Sequence, residues 1–241
     1  MIKLQVSARE LLRLKADLRQ LRDRDARIAI TWALNDTATE VLSHVQNNME
    51  QVFDRPTRFT LNAFTVRGAR PSSLEAIVQE RPSVGSRHYL KVEEAGGARP
   101  QTGVERNLNG RLAYSGIIEA AVPAAGAKLD AYGNWSRGER NQVLSAVQAQ
   151  NEASSNTTEA SRKRNRKRAG YFVPRPGSKL SPGIWKRAAN GDLSKVLHFT
   201  DAVPRYRPRL KFYEGAEEVY DRSFPRHLAR TLAKMVAKRS K

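Results

Sequence analysis

Two amphipathic helices are predicted near the start of the chain, because apolar residues recur there every three or four positions. The first follows a capping box at residues 7–10 and presents Leu11, Leu14, Leu18 and Leu21. The second covers roughly residues 26–53, and its predicted buried stripe consists of Ile28, Trp32, Asn35, Ala38, Leu42, Val45, Met49 and Val52. Asn35 is polar, so we expect it to be tolerated near the helix edge or bonded to a neighbour.

Beyond Pro56 the apolar residues alternate with polar ones, which predicts β-strands. Strands are expected at residues 59–66, with a bulge or turn at residues 62 and 63, and then at 74–79 and 89–92. The stretch 107–121 fits either a strand or a helix.

A short helix is predicted at residues 140–150, with Val143, Leu144 and Val147 as its apolar face. Strands follow at 171–173 and 196–199, on either side of a Gly/Pro loop around Trp185. The last helix is predicted at residues 216–238, where basic side chains recur every four residues and the opposite side carries Leu228, Leu232, Met235 and Val236.

These elements predict an α+β fold: N-terminal helices, a mostly antiparallel sheet with long loops, and a C-terminal helix packed on the sheet. We expect a single domain over residues 1–241, with an N-terminal helical segment at 7–53 and a basic extended loop at 151–170.

The chain is strongly basic: 43 Lys and Arg stand against 24 Asp and Glu, a formal net charge of +19. Such an excess indicates nucleic acid, an acidic membrane surface or an acidic protein as the partner. There is no cysteine, which excludes disulfides, thiolate zinc sites and cysteine nucleophiles. No apolar stretch approaches 18 residues and no signal core is visible, so we expect no transmembrane helix and a protein that is cytoplasmic or made in the cytoplasm. We expect no membrane among its partners.

The highest charge density lies at residues 162–168, where six of seven residues are basic and none is acidic. Like charges repel and must stay solvated, so the run is either a solvated flexible loop or a contact for an acidic partner. The candidate contact residues are Arg162, Lys163, Arg164, Arg166, Lys167, Arg168, Arg205, Arg207 and Arg209.

Aromatic residues interleave with Lys and Arg in the second half of the chain, at Tyr171, Phe172, Trp185, Tyr206 and Tyr213. This pattern is typical of a stacking platform for single strands and equally of core aromatics between surface charges; we favour the core.

Catalytic chemistry has little support in the sequence. The four histidines are isolated, and neither a Gly-rich phosphate loop nor a nucleophile elbow occurs. The acidic pairs Glu93–Glu94 and Glu217–Glu218 are neighbours whose side chains diverge, so we expect them on a solvated surface. We therefore predict no catalytic, metal or cofactor site, and an enzyme such as a nuclease is the least favoured class.

Several segments resemble the phage minor tail protein Z family, the tail-completion proteins of long-tailed phages. These segments are 33–38 (ALNDTA), the basic region from 55, 128–138 (KLDAYGNWSRG), 142–145, 182–187 (PGIWKR), 196–199 and 206–209. Their order makes the similarity specific, and together they span roughly residues 30–235. The first helix and the stretch 153–168 match least.

The resemblance implies a non-enzymatic virion protein of the neck, assembled in the host cytoplasm, which joins the tail to the connector. It also implies a homo-oligomeric ring of six subunits beside the connector or adaptor and the tail terminator or tail-tube proteins. Packaged double-stranded DNA is a further acidic partner, bound without sequence preference. The alternative function is non-specific nucleic-acid binding.

Overall fold

A computed structural model gives the fold and describes residues 1–5, 23–87, 89–112, 114, 117–165 and 170–239. Within these residues the helices are α1 (Asp23–Val52), α2 (Arg58–Leu61), α3 (Tyr89–Ala95), α4 (Gly103–Arg111), α5 (Arg137–Ala146), α6 (Glu159–Asn165) and α7 (Phe212–Arg239). The strands are β1 (Ile2–Gln5), β2 (Phe64–Arg67), β3 (Glu75–Glu80), β4 (Gly97–Ala98), β5 (Ala120–Pro123), β6 (Gly170–Phe172), β7 (Gly183–Arg187), β8 (Leu193–Thr200) and β9 (Arg205–Tyr206).

The strands form three antiparallel sheets, ordered β1-β3-β2, β4-β9 and β5-β8-β7-β6. This confirms the predicted α+β class. The chain divides into two compact units: unit 1 comprises residues 1–95 and 208–241, and unit 2 comprises residues 96–207. No composition shift marks the boundaries, and the sequence pattern had indicated a single domain.

Unit 1 is built on the antiparallel pair of long helices α1 and α7, with the three-stranded sheet packed against α1. Ala33, Leu34 and Val41 from α1 share a buried cluster with Val219 and Phe224 from α7. Each large apolar side chain buried in this way contributes about 1.5–3 kcal/mol relative to an exposed one. The core of unit 1 therefore lies between the helices and beneath the sheet.

The predicted stripe of α1 is right in part. Ala38, Val45 and Met49 are buried as expected, but the side chain of Trp32 is 45% exposed. Because both the sheet and α7 pack on α1, its buried face is broader than one stripe and includes small residues such as Ala29. Trp32 points away from both contacts.

Asn35 is hydrogen-bonded to a neighbouring segment, which was one of the two alternatives expected from the sequence. Its Nδ2 donates to the carbonyl oxygen of Ala69 at 3.2 Å, and the N–H of Ala69 donates to its Oδ1 at 2.6 Å. The side-chain amide thus satisfies both backbone groups of a residue just after β2, and it ties that loop to α1.

Three local predictions are wrong. The residues around Phe59 form helix α2, whose first turn is capped by Thr57, and the predicted strand at 89–92 is helix α3. Trp185 lies in β7 rather than in a loop. In the two helices the apolar pattern covers only about four residues, which is too short to distinguish strand from helix. At Trp185 the Pro and Gly residues on its N-terminal side, Pro182 and Gly183, predicted a loop, but Gly183 is the first residue of β7.

The last helix starts at Phe212, four residues earlier than predicted, because a distant carboxylate caps it. The side chain of Glu94 accepts the N–H of Phe212 at 2.8 Å and of Tyr213 at 3.4 Å. Negative charge at a helix N-terminus is stabilising. The helix predicted from Leu11 to Leu21 lies outside the described residues.

Unit 2 packs its four-stranded sheet against α5, with Leu108 of α4 and Ile118 completing the core. The predicted apolar face of α5 is confirmed, because Val143 and Leu144 on the helix and Val147 at its C-cap are all buried.

Glu105 is a buried charge that joins α4 to Arg99 and to β5. Its carboxylate is 4% exposed and pairs with Arg99 at 2.7 and 3.0 Å. It also accepts the N–H of Thr102 at 2.7 Å, which completes a capping box on α4, and the N–H of Ala121 at 3.1 Å. Burial alone would raise the pKa of Glu105, but the hydrogen bonds from Arg99, Thr102 and Ala121 outweigh it and lower the pKa to about 2.

Candidate functional site

The predicted basic run begins on α6, a helix of seven residues. Lys163 and Arg164 are exposed on it, and the backbone of Arg162 belongs to the same helix. Arg166, Lys167 and Arg168 lie outside the described residues. The segment predicted as an extended loop therefore contains a short helix, whose first turn begins at Thr158 with its Oγ1 accepting the N–H of Ser161 at 3.3 Å.

Residues 148–157, which precede α6, are held in place by several hydrogen bonds and by the buried side chain of Ala149. Gln148 adopts a φ of 64°, and its Nε2 donates to the carbonyl oxygen of Thr157 at 2.6 Å. Ser145 Oγ on α5 donates to the carbonyl oxygen of Ser155 at 3.0 Å. Amide and hydroxyl groups thus fasten residues 150–157 to α5, and α6 starts from an anchored position.

The three arginines predicted further along the chain have different settings. Arg205 on β9 and Arg207 are exposed and belong to unit 2, as α6 does. Arg209 belongs to unit 1, and its guanidinium donates to both oxygens of Glu93 at 3.1 Å and lies 5.6 Å from the ring centre of Phe53. That ion pair positions the chain just ahead of α7.

Residues 128–136 of unit 2 form a tight hairpin, in which Leu129 pairs with Trp135 and residues 130–134 make the turn. Two large apolar side chains are exposed at this end of the hairpin, one beside the turn and one in it. Leu129 is 53% exposed and Tyr132 is 43% exposed. Asp130 Oδ1 accepts the N–H groups of Tyr132 and Asn134, each at 2.9 Å, so the tip has its own hydrogen bonds. A loop tip with exposed large apolar side chains is a candidate contact surface.

Glu139 on α5 braces the base of this hairpin from within unit 2. Its Oε2 accepts the N–H of Lys128 at 2.6 Å and the indole N–H of Trp135 at 3.0 Å, and its Oε1 accepts the hydroxyl of Tyr171 at 3.0 Å. Glu139 itself is almost fully buried. Burial and the bond to Glu139 raise the pKa of Tyr171 to about 12.

The outward face of the four-stranded sheet carries aromatic and basic side chains together. Phe172, Trp185 and Lys195 are register partners on three adjacent strands, β6, β7 and β8. Lys195 Nζ lies 5.3 Å from the ring centre of Trp185, and the guanidinium of Arg187 lies 5.4 Å from that of Phe172. We call this surface, with His198 and Val122 beside it, the aromatic-basic face.

The interleaved aromatic residues differ in their surroundings. Tyr171 points to the inner face, where Glu139 binds it, whereas Phe172 and Trp185 lie half-buried on the outer face. Tyr206 is half-buried in β9, and Tyr213 is exposed on α7.

The basic series along α7 is largely neutralised within unit 1. Arg226 and His227 bind Glu40 on α1, each at 2.9 Å, and Arg230 binds Asp36 at 2.6 Å. Because Arg230 donates to Nδ1 of His227, the proton of this histidine lies on Nε2, which donates to Glu40. Hydrogen bonds from Ser223 and His227, with the charge of Arg226, lower the pKa of Glu40 to about 2. These side chains join the two long helices.

Among the described residues, no group of three or more His, Asp or Glu side chains has an arrangement that could hold a metal ion. Within the same part of the chain, no helix combines the length and apolarity needed to cross a bilayer. Comparison with protein-family models, curated proteins and solved structures finds no match to this chain.

Sequence reasoning missed the carboxylates that brace unit 2 and the apolar tip of its hairpin. One signal for the carboxylates was present: residues 102–105 (TGVE) and 136–139 (SRGE) share the spacing of the capping box at 7–10. Nothing comparable marks the tip.

Proposed function

We propose that this chain is a structural subunit of a phage particle that joins the tail to the connector at the head–tail junction. The resemblance of residues 128–138 to a segment of tail-completion proteins motivates the proposal, and the observation that carries it is the form of that segment. It is a braced hairpin with Leu129 and Tyr132 exposed at its tip.

A tip of this kind suits docking onto another protein. Its conformation is held by hydrogen bonds to Asp130 and Glu139 before any partner arrives, so little conformational entropy is lost on binding. Two apolar side chains supply a small desolvated centre, while Lys128 and Arg137 flank the tip in sequence and favour an acidic rim on the partner.

The subunit assembles with copies of itself into a ring of six, flanked by the connector or adaptor on one side and the tail terminator or tail tube on the other. Head-to-tail contacts that close by rotation produce such rings. Its place is the neck of the virion, it is assembled in the host cytoplasm, and it needs no catalytic site. Between residues 96 and 207, in unit 2, basic side chains outnumber acidic ones more than two to one. These basic side chains face acidic proteins or packaged DNA in the particle.

Complementation in an extract tests the proposal. Cells infected with phage that lacks this protein should contain separate heads and tails, and adding the purified full chain should restore infectious particles. The double variant Leu129→Ser and Tyr132→Ser should fold but restore at least about tenfold fewer particles, because it loses the apolar anchors. The matched control is Val203→Ser, a 45% exposed valine in unit 2, which should restore them fully. Failure of the unaltered protein, or full restoration by the hairpin variant, would contradict the proposal.

Non-specific nucleic-acid binding is the second candidate function. The observation that favours it is the concentration of basic side chains in unit 2, with Lys163 and Arg164 exposed on an anchored helix. Binding of this kind weakens linearly on a logarithmic scale as salt concentration rises, which distinguishes it from docking through an apolar tip.

A further inference from the structure

We infer that the aromatic-basic face of unit 2 is a binding site for single-stranded nucleic acid, where bases stack on Trp185 and Phe172 while Lys195 and Arg187 bind phosphates. The inference rests on the second candidate function and deepens it, since it names the site and the kind of strand. It does not depend on the head–tail role.

The register of the sheet places the key side chains in one row. Phe172 is paired with Trp185, and Trp185 is paired with Lys195, so all three project from the same side of adjacent strands. Neighbouring strands lie about 4.8 Å apart, which makes the row about 10 Å long. His198 lies three residues beyond Lys195 on the same strand, β8, and its Nδ1 is 3.2 Å from Lys195 Nζ.

This face is distinct from the one that forms the core. Ile184, Leu197 and Phe199 are buried on the inner side against α5, and Tyr171 bonds to Glu139 there. On the outer side Trp185 and Phe172 stay half-buried and His198 is exposed. A half-buried ring on the outer side of a sheet offers a flat apolar surface on which a base can stack.

Each ring on this face lies beneath a cation of the protein. Lys195 Nζ is 5.3 Å from the Trp185 centre and also contacts Ser181 Oγ, and Arg187 lies over Phe172. Among the ion pairs of the described residues, none involves either cation. As a base stacks on the ring, the cation moves from the ring face to the adjoining phosphate, so one favourable contact replaces another.

This combination favours nucleic acid over an acidic protein. An acidic peptide would use the two cations but would leave the flat faces of Trp185 and Phe172 without partners. It favours a single strand over a duplex, because the faces of paired bases are already stacked on one another and cannot reach the rings. A duplex would engage only the charges.

The experiment measures binding of fluorescein-labelled oligothymidine, about 15 nucleotides long, to the full chain by anisotropy at several salt concentrations. Trp185→Leu should weaken binding about tenfold, the loss expected for one stacked base, and leave the salt slope unchanged. Lys195→Gln should weaken binding and also reduce the salt slope by about 1, because one phosphate contact is lost. Circular dichroism confirms that each variant is folded.

Two controls lie in unit 1: Trp32→Leu removes a tryptophan exposed on α1, and Lys234→Gln removes a lysine exposed on α7. Both should bind like the parent. If Trp185→Leu and Lys195→Gln also bind like the parent, the site is wrong, although nucleic-acid binding itself stands. If no oligonucleotide binds even at low salt, both the site and the second candidate function are overturned.

Two competitors, a duplex and an acidic peptide, distinguish a site for single strands from a site for duplex DNA or for acidic protein. A duplex of equal length should bind with an affinity that Trp185→Leu does not change. If the duplex depends on Trp185 as strongly as the single strand does, the inference is wrong. A polyglutamate peptide should compete poorly, and equal competition that is lost in Trp185→Leu would make the face an acidic-protein site and overturn the inference.

Discussion

Glu105 is the residue whose replacement tests the energetics of unit 2 most sharply. Its carboxylate is 4% exposed, pairs with Arg99, and accepts the N–H groups of Thr102 and Ala121. Glu105→Gln keeps the size and one acceptor oxygen, but it places an amide N–H₂ opposite the guanidinium and leaves Arg99 without its counter-charge. Removing one partner of a buried pair is costly, at about 3–5 kcal/mol.

The pKa of Glu105 gives an independent magnitude. Lowering it from 4.5 to about 2 corresponds to about 3 kcal/mol of stability, at about 1.4 kcal/mol per pKa unit. Since the folded-state pKa lies below the unfolded one, this stability is present in full above pH 4.5 and is lost as the pH falls toward 2. Glu105→Gln should therefore lower the free energy of unfolding by about 3 kcal/mol at pH 7. The difference from the parent should shrink between pH 4.5 and about 2.

Urea denaturation followed by tryptophan fluorescence measures this difference. In a Trp32→Phe background the remaining tryptophans, Trp135 and Trp185, both report on unit 2. The matched control is Glu152→Gln at an exposed glutamate of the same unit, which should change stability by less than about 0.5 kcal/mol. A pH 7 difference below about 0.5 kcal/mol for Glu105→Gln, or one that does not change with pH, would refute the reasoning.

Two further predictions concern the hairpin and the sheet. Glu139→Leu leaves two N–H donors at the hairpin base without an acceptor and should destabilise unit 2 by about 2–4 kcal/mol, measured by urea denaturation. Glu139→Gln should cost less than half as much, because its amide can accept both N–H groups and donate to Tyr171; equal costs would contradict this. Gly183→Ala would place a Cβ 2.2 Å from the carbonyl oxygen of Leu197 at a φ of 154°, and should destabilise by more than about 3 kcal/mol in thermal melts. Its control, Gly138→Ala in α5, meets no atom within 4 Å and should be neutral or stabilising; similar melting for both variants would show that β7 tolerates a side chain there.

The long elements were predictable because their patterns are long. The sequence predicts a helix at residues 26–53, and α1 covers Asp23–Val52. The prediction is close because the apolar positions recur over about seven helical turns. The strand predicted at 74–79 was similarly close to β3 (Glu75–Glu80). The short segments were predicted wrongly because four residues cannot distinguish the period of a strand from that of a helix. Contacts with residues far along the chain also determine which of the two forms. Helix α3, for example, supplies the carboxylate of Glu94 that caps α7.

The candidate surfaces were harder to predict than the elements. Charge density drew attention to residues 162–168, of which only the part on α6 is described, with Lys163 and Arg164 exposed. Arg209 was proposed as a contact residue but pairs with Glu93, a partner 116 residues away that no local pattern reveals. Which face of the sheet Trp185 and Phe172 occupy depends on the strand register, including the irregularity between Ile184 and Trp185. This register is set by pairing with strands elsewhere in the chain.

Electron microscopy of particles from a phage that lacks this protein tests the central claim most directly. A subunit that joins tail to connector predicts DNA-filled heads and complete tails that remain separate, and joined particles once the full chain is supplied. Normal joined and infectious particles in the absence of the protein would contradict the account.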